Sequence, residues 1–261
     1  MEPPDPTTAD ALARFYDLDL QDDPGDLDLY LALADRADGA VLELAVGSGR
    51  LAVPLARRSH RVTGVDLDPA MLDRARERAA ADGLADGRLE LVEADLVHVR
   101  LPEAGRHRLA FIALNSIMLL SGRDAQRAAF RTLASHLVPG GLAVVDAWLP
   151  DADDLGRYDG RLILEWVRTD PSTDNLVTKT GSAVHDAVSG TIVLTSIYDE
   201  AAQGTTVRRW VRQDRLRLIS PDELAAFAQE AGLRVELMAG GYDLSPIGSG
   251  SERAVLIAER E

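Results

Sequence analysis

From residue 40 onward, short apolar runs alternate with stretches in which apolar residues recur every three or four positions. The runs at 41–45, 61–66, 88–93, 109–114 and 142–147 read as strands, and 69–81 and 124–137 between them carry helical spacing. Pro69 suits the first turn of its helix, with Asp68 before it as N-cap. Pro139-Gly140-Gly141 ends the later helix and starts the next strand. Repeated βα units predict a parallel sheet covered on both faces, the doubly wound α/β class.

After Pro150 the texture changes. Segments 162–169, 175–186, 190–200 and 205–219 read as successive antiparallel strands, with turns at Val188-Ser189-Gly190 and Ala202-Gln203-Gly204. Ser220-Pro221-Asp222-Glu223 opens a helix reaching about Ala231, and Gly232 stops it. Segments 233–238 and 254–258 are the last two strands. With no repeat and no low-complexity linker, the antiparallel segment reads as an insertion within one α/β domain.

Charge and composition narrow the function. The 261 residues carry 43 acidic and 28 basic side chains, a formal charge of −15, which argues against binding a nucleic-acid backbone. Cysteine is absent, removing thiolate metal sites and cysteine nucleophiles, and no HxxE, HExxH or paired-carboxylate pattern points to a metal. The start, MEPPDPTTAD, lacks the features of a signal peptide, and no apolar run approaches about 20 residues. A cytoplasmic protein away from membranes, monomeric or homodimeric, is the expectation.

The chemistry lies in VLELAVGSGR, residues 41–50. Gly47-Ser48-Gly49 followed by Ala52 fits the loose glycine pattern of a dinucleotide site, where backbone approaches the ligand and a helix N-terminus offers free N–H groups. Asp66 ends the second strand, where a carboxylate accepts two hydrogen bonds from ribose hydroxyls. Nicotinamide and S-adenosylmethionine sites share both features, so these two leave the cofactor open.

Further motifs separate them. Glu43-Leu44-Ala45-Val46-Gly47-Ser48-Gly49, Gly64-Val65-Asp66-Leu67-Asp68 with Met71 following, Glu93-Ala94-Asp95-Leu96, Asn115-Ser116 and Leu137-Val138-Pro139-Gly140-Gly141 together resemble the class I S-adenosylmethionine-dependent methyltransferases over most of residues 40–261. Ala45 stands where a first glycine is common in that family. The resemblance implies a Rossmann-like seven-stranded sheet with an antiparallel β insertion after strand 5. It implies S-adenosylmethionine as cofactor and S-adenosylhomocysteine as product. Glu43 and the turn Gly47–Gly49 would hold the methionine part, Asp66 the ribose, and Asp95 with Leu96 the adenine, with Ala45 and Arg50 also at the cofactor. Leu67 and Met71 would pack on purine or ribose, with Asn115 at the end of the fourth strand. Plain alternatives are core packing for Met71 and a helix cap for Asp95.

The layout after strand 5 resembles small-molecule N-methyltransferases, both amino-sugar N,N-dimethyltransferases and peptide N-terminal methyltransferases. On that resemblance residues 1–39 form a helical lid segment with Tyr16 over the cofactor, and 40–150 the cofactor-binding core. Residues 151–219 wall the acceptor site, and 220–261 complete the sheet. Trp148, Glu165, Tyr198, Trp210 and Tyr242 are the candidate acceptor contacts. Strand parity leaves open which face points inward.

One departure matters: Met118-Leu119-Leu120 occupies the place where the sugar enzymes carry a general-base histidine. A neutral amine attacks the sulfonium methyl directly, so positioning and desolvation can supply most of the acceleration. Asp146 and His185 are the remaining candidates for a base, whereas His60, His98, His107 and His136 read as solvated. The leading function is methyl transfer to a nitrogen of a small molecule or short peptide. The alternatives are O-methylation and a non-catalytic protein that binds S-adenosylmethionine or a nucleotide.

Overall fold

The computed structural model describes residues 6–84, 87–102, 104–120, 122–202 and 206–261. Along the chain come α1 (Pro6–Asp19), α2 (Leu27–Ala37), β1 (Val41–Leu44), α3 (Ala52–Arg57), β2 (Val62–Asp66), α4 (Pro69–Ala81), β3 (Leu89–Glu93) and β4 (His107–Ile112). A 3₁₀ turn (Ser116–Leu119) leads to α5 (Arg123–His136), β5 (Leu137–Trp148) and α6 (Ala152–Arg157). Four strands follow, β6 (Ile163–Thr169), β7 (Leu176–Asp186), β8 (Thr191–Ala201) and β9 (Arg208–Arg217). The chain closes with α7 (Pro221–Glu230), β10 (Leu233–Ala239) and β11 (Arg253–Arg260). The expected turn at Ala202-Gln203-Gly204 falls, at 203 and 204, outside the described residues.

The chain folds as two compact units: Pro24–Leu149 with Ile219–Glu261, and the residues up to Asp23 with Pro150–Leu218. The first holds a seven-stranded sheet of order β10-β11-β5-β4-β1-β2-β3, with β1–β5 parallel and β11 running against both of its neighbours. All four residues of β1 are buried, as a central strand covered on both faces requires. The strand order reverses between β1 and β4, so the carboxyl ends of these two strands open the crevice where such sheets take ligands.

Local chemistry sets the helix ends. Asp68 accepts from Ala70 N at 2.9 Å with Pro69 behind it, and Ser220 with Glu223 closes a reciprocal capping box on α7.

Two expectations need correction. β5 starts at Leu137 and runs through Pro139-Gly140-Gly141 instead of beginning after them. Its pairing with β4 slips between His107↔Leu137 and Leu109↔Leu142, so the extra residues bulge out while the strand continues. Gly140 takes a φ of 76°, and a Cβ on Gly141 would lie 2.9 Å from Val138 O. His107 and His136 are buried, each 1% exposed, not solvated. The fold supplies their hydrogen bonds: His136 Nε2 accepts from Leu101 N, leaving Nδ1–H to donate to Thr132 O, and His107 Nδ1 bonds His136 O.

The second unit is an antiparallel sheet of order β6-β7-β8-β9 with α1 packed on it. Phe15 stacks on Tyr198 at 4.8 Å and meets Trp210 edge-on at 5.3 Å. Asp19, at the end of α1, accepts from Lys179 Nζ and Trp166 Nε1 at 2.8 Å and from Tyr198 OH at 3.0 Å. Those carboxylate bonds hold the ammonium of Lys179, the chain's single lysine, above its ordinary range despite its burial.

Candidate active site

At the carboxyl end of β1 the backbone reverses through Ala45 (φ 62°), Gly47 (φ 54°) and Gly49 (φ 76°). Gly47 N donates to Asp66 Oδ2 at 2.7 Å and Asp68 N to Asp66 Oδ1 at 3.0 Å, tying this turn to the end of β2. Burial pushes the Asp66 carboxyl up, and these N–H groups oppose that rise. The left-handed backbone at residue 45 explains the family's usual glycine there, since alanine is strained by about 1–2 kcal/mol in that region. Part of the gain from glycine is lost to its unfolded-state entropy. Ala45→Gly is therefore expected to keep the fold and gain up to about 1 kcal/mol, read as a higher unfolding midpoint; a lower midpoint would rule out strain at this residue.

Gly49 has a packing role besides the one its motif suggests. A Cβ there would lie 3.1 Å from Ala75 Cβ and 3.2 Å from Val53 Cγ2, so the missing side chain makes room for α3 and α4. Arg50 meets Asp26 through two bonds of 2.5 and 2.6 Å, and this carboxylate is fully buried. Glu43, 4% exposed within β1, keeps one oxygen, Oε2, without a hydrogen-bond partner.

A second cluster forms where β4 and β5 end and β11 begins. Asp146 is fully buried and its carboxylate is saturated. Oδ2 accepts from Tyr30 OH at 2.7 Å and Leu114 N at 3.0 Å; Oδ1 accepts from Arg253 Nη1 at 2.6 Å and Tyr242 OH at 3.0 Å. Arg253 lies over the Tyr242 ring, 4.6 Å from its centroid. Its Nη1 also donates to Asn115 Oδ1 at 3.0 Å, which takes Trp148 N at 2.6 Å as well. Leu114 and Asn115 both hold left-handed backbone, φ 50° and 66°. Burial raises the Asp146 carboxyl above its ordinary range, opposed chiefly by Arg253.

The other predicted residues are placed as follows. Asp95 accepts from Val97 N at 2.9 Å and contacts His98 Nδ1 at 2.8 Å, so it caps its own turn. Leu96 is half-buried in that turn, Leu67 is exposed, and Met71 is buried in α4 among Leu72 and Ala75. Tyr16 is half-buried on α1. Glu165 pairs with Lys179 at 2.9 Å, and Tyr198 and Trp210 pack against Phe15. His185 is half-buried in β7 opposite Ile192. Asp26, Tyr30 and Arg253 escaped the sequence reading. Only Arg253 left a signal, as a charged residue opening the apolar run 254–258.

A glycine reversal after β1, an acidic end to β2 and a switch point between β1 and β4 define a Rossmann-like nucleotide site. Residues 41–141 match the family model described as "Methyltransferase domain". A dTDP-3-amino-3,4,6-trideoxy-alpha-D-glucopyranose N,N-dimethyltransferase from Streptomyces venezuelae is 29% identical over 207 residues, 77% of this chain and 78% of the relative. A carboxy-S-adenosyl-L-methionine synthase from Chromohalobacter salexigens is 31% identical over 168 residues, 58% of this chain; the alignment spans 60% of that relative's own length. Other curated relatives, 38–40% identical, are spanned over 22–53% of theirs. Among solved structures, the CcbJ methyltransferase from Streptomyces caelestis superposes with a TM-score of 0.71 at 27% identity, covering 93% of this chain and 95% of that one. No helix among the described residues is long and apolar enough to cross a membrane.

Proposed function

We propose that this chain transfers a methyl group from S-adenosylmethionine to the amine nitrogen of a small molecule, with an amino-sugar nucleotide as the first acceptor class. The observation that carries the reading is the group around the β1 turn. The partnerless Glu43 oxygen suits an ammonium, and Asp66 at the end of β2 suits a ribose diol. Asp95 with Leu96 would meet the adenine, and the 47–49 backbone would face the methionine part.

When bound, the sulfonium supplies an electrophilic methyl. The chain's own contribution is alignment. Asn115 and Trp148, fixed by Arg253 and Asp146 at the ends of β4 and β5, would bring the acceptor nitrogen to about 3–3.5 Å and in line. An apolar segment, Met118-Leu119-Leu120, follows β4 in place of a base, which suits an amine that arrives neutral. The N,N-dimethyltransferase relative, aligned over more than three quarters of both chains, supports the amino-sugar acceptor.

Titration with S-adenosylmethionine, S-adenosylhomocysteine and NAD tests the cofactor, and binding of NAD alone would overturn the reading. Mass spectrometry of dTDP-3-amino-3,4,6-trideoxyglucose and of a peptide with a free N-terminal amine then reads the acceptor. A gain of methyl mass on the sugar is expected. Asp66→Ala should weaken cofactor binding about 100-fold, through two lost bonds of about 1.5 kcal/mol each to a charged group. Unchanged affinity would remove Asp66 from the site.

A further inference from the structure

Glu43 lies in the middle of β1, between Gly64 of β2 and Phe111 of β4, neither of which carries a charge. From α3 it receives the Ala52 N–H, and its Oε2 has no partner. Three charged groups face it: Arg50 from the glycine turn, Asp26 ahead of α2, and Asp66 at the end of β2. Of these three Arg50 is the attractive charge, and Asp26 holds it in a bidentate pair. The two aspartates repel a charge on Glu43. Desolvation is the dominant influence, and the balance sets this carboxyl well above its usual range.

We infer that Glu43 carries a proton until the cofactor's methionine ammonium binds beside it, and then releases that proton to solvent. The inference rests on the S-adenosylmethionine reading above and adds a linked proton to it. A bound ammonium favours the ionised carboxylate and so lowers the pKa of Glu43 in the complex. The complex then holds fewer protons than the separate partners, and the association constant rises with pH. The rise is confined to the window between the pKa in the complex and the higher pKa without ligand, and it is flat on either side.

Calorimetric titration of the full chain with S-adenosylhomocysteine at about pH 6.5 keeps the ligand's amine protonated, because an amine beside its own carboxylate titrates above a peptide α-amino group, itself at about 7.7–8.0. Repeating it in phosphate and in imidazole gives the number of protons exchanged, from the dependence of the apparent enthalpy on buffer ionisation. A release approaching about one proton is expected, vanishing in Glu43→Gln. An infrared difference spectrum of the unaltered chain should show loss of a protonated carboxyl band on binding, independent of whether that variant folds. No release from the native chain overturns the inference while leaving the cofactor reading intact. An equal release from Glu43→Gln overturns it in favour of Asp66. Absence of any binding overturns both.

Discussion

Asp146→Ala is expected to destabilise the chain by about 3–5 kcal/mol, the range for removing one partner of a buried ion pair. The carboxylate is fully buried and Arg253 is largely so, with 18% of its side chain exposed. Truncation therefore leaves a guanidinium, two tyrosine hydroxyls and the Leu114 N–H without their acceptor. The left-handed Leu114-Asn115 turn loses an anchor at the same time. Asp146→Asn should fall between native and Ala, because an amide keeps one accepting oxygen and turns two donors towards the remaining partners. Urea unfolding reads both, with a lower midpoint and an unchanged m-value. The pair also separates a positioning role from a base. With all four lone-pair directions filled, Asp146 has none left for an acceptor proton, so the Asn variant should keep the acid limb of the methyl-transfer pH profile. Loss of that limb with the fold intact would restore Asp146 as a base.

Much of this was legible along the chain because it is local. The strand-turn-helix at 41–57, Asp66 after β2 and the caps at Asp68 and Ser220 each depend on neighbours a few residues apart. The Asp146 cluster is not local: Tyr30 precedes it by 116 residues and Arg253 follows it by 107. No motif links those positions. The burial of His107 and His136 was hidden for a similar reason, since His136 takes the Leu101 N–H from 35 residues away and His107 meets His136 O from 29.

In the antiparallel sheet the obstacle was parity. Leu164 pairs with Thr180 but Trp166 with Lys179, so Glu165 is an added residue and alternation breaks at the point where an inward face had to be chosen. Glu165 packs over Gly181, where a Cβ would lie 1.7 Å from its carboxylate, a contact no alternation rule foresees.

Gly49→Val tests the turn from the opposite side, through packing. Glycine in such a loop is ordinarily credited with letting backbone approach a ligand, and loss of cofactor binding alone would follow from that. At residue 49 the side-chain direction leads to Ala75 Cβ and Val53 Cγ2 instead, at 3.1 and 3.2 Å. Two penalties combine: about 1–2 kcal/mol for a side chain at φ 76° and about 1–3 kcal/mol for overpacking. Against a total stability of about 5–15 kcal/mol, the expected loss of about 2–5 kcal/mol brings the domain near unfolding. Adding Ala75→Gly and Val53→Ala to the same chain should relieve both contacts and leave the backbone share. Glycine inside α4 costs about 0.5–1 kcal/mol, so recovery of the thermal midpoint relative to the same two substitutions in the Gly49 chain is the expected signature. If Gly49→Val kept the native midpoint and lost only cofactor affinity, the side chain would have to point at the ligand, and the packing account of this glycine would fail.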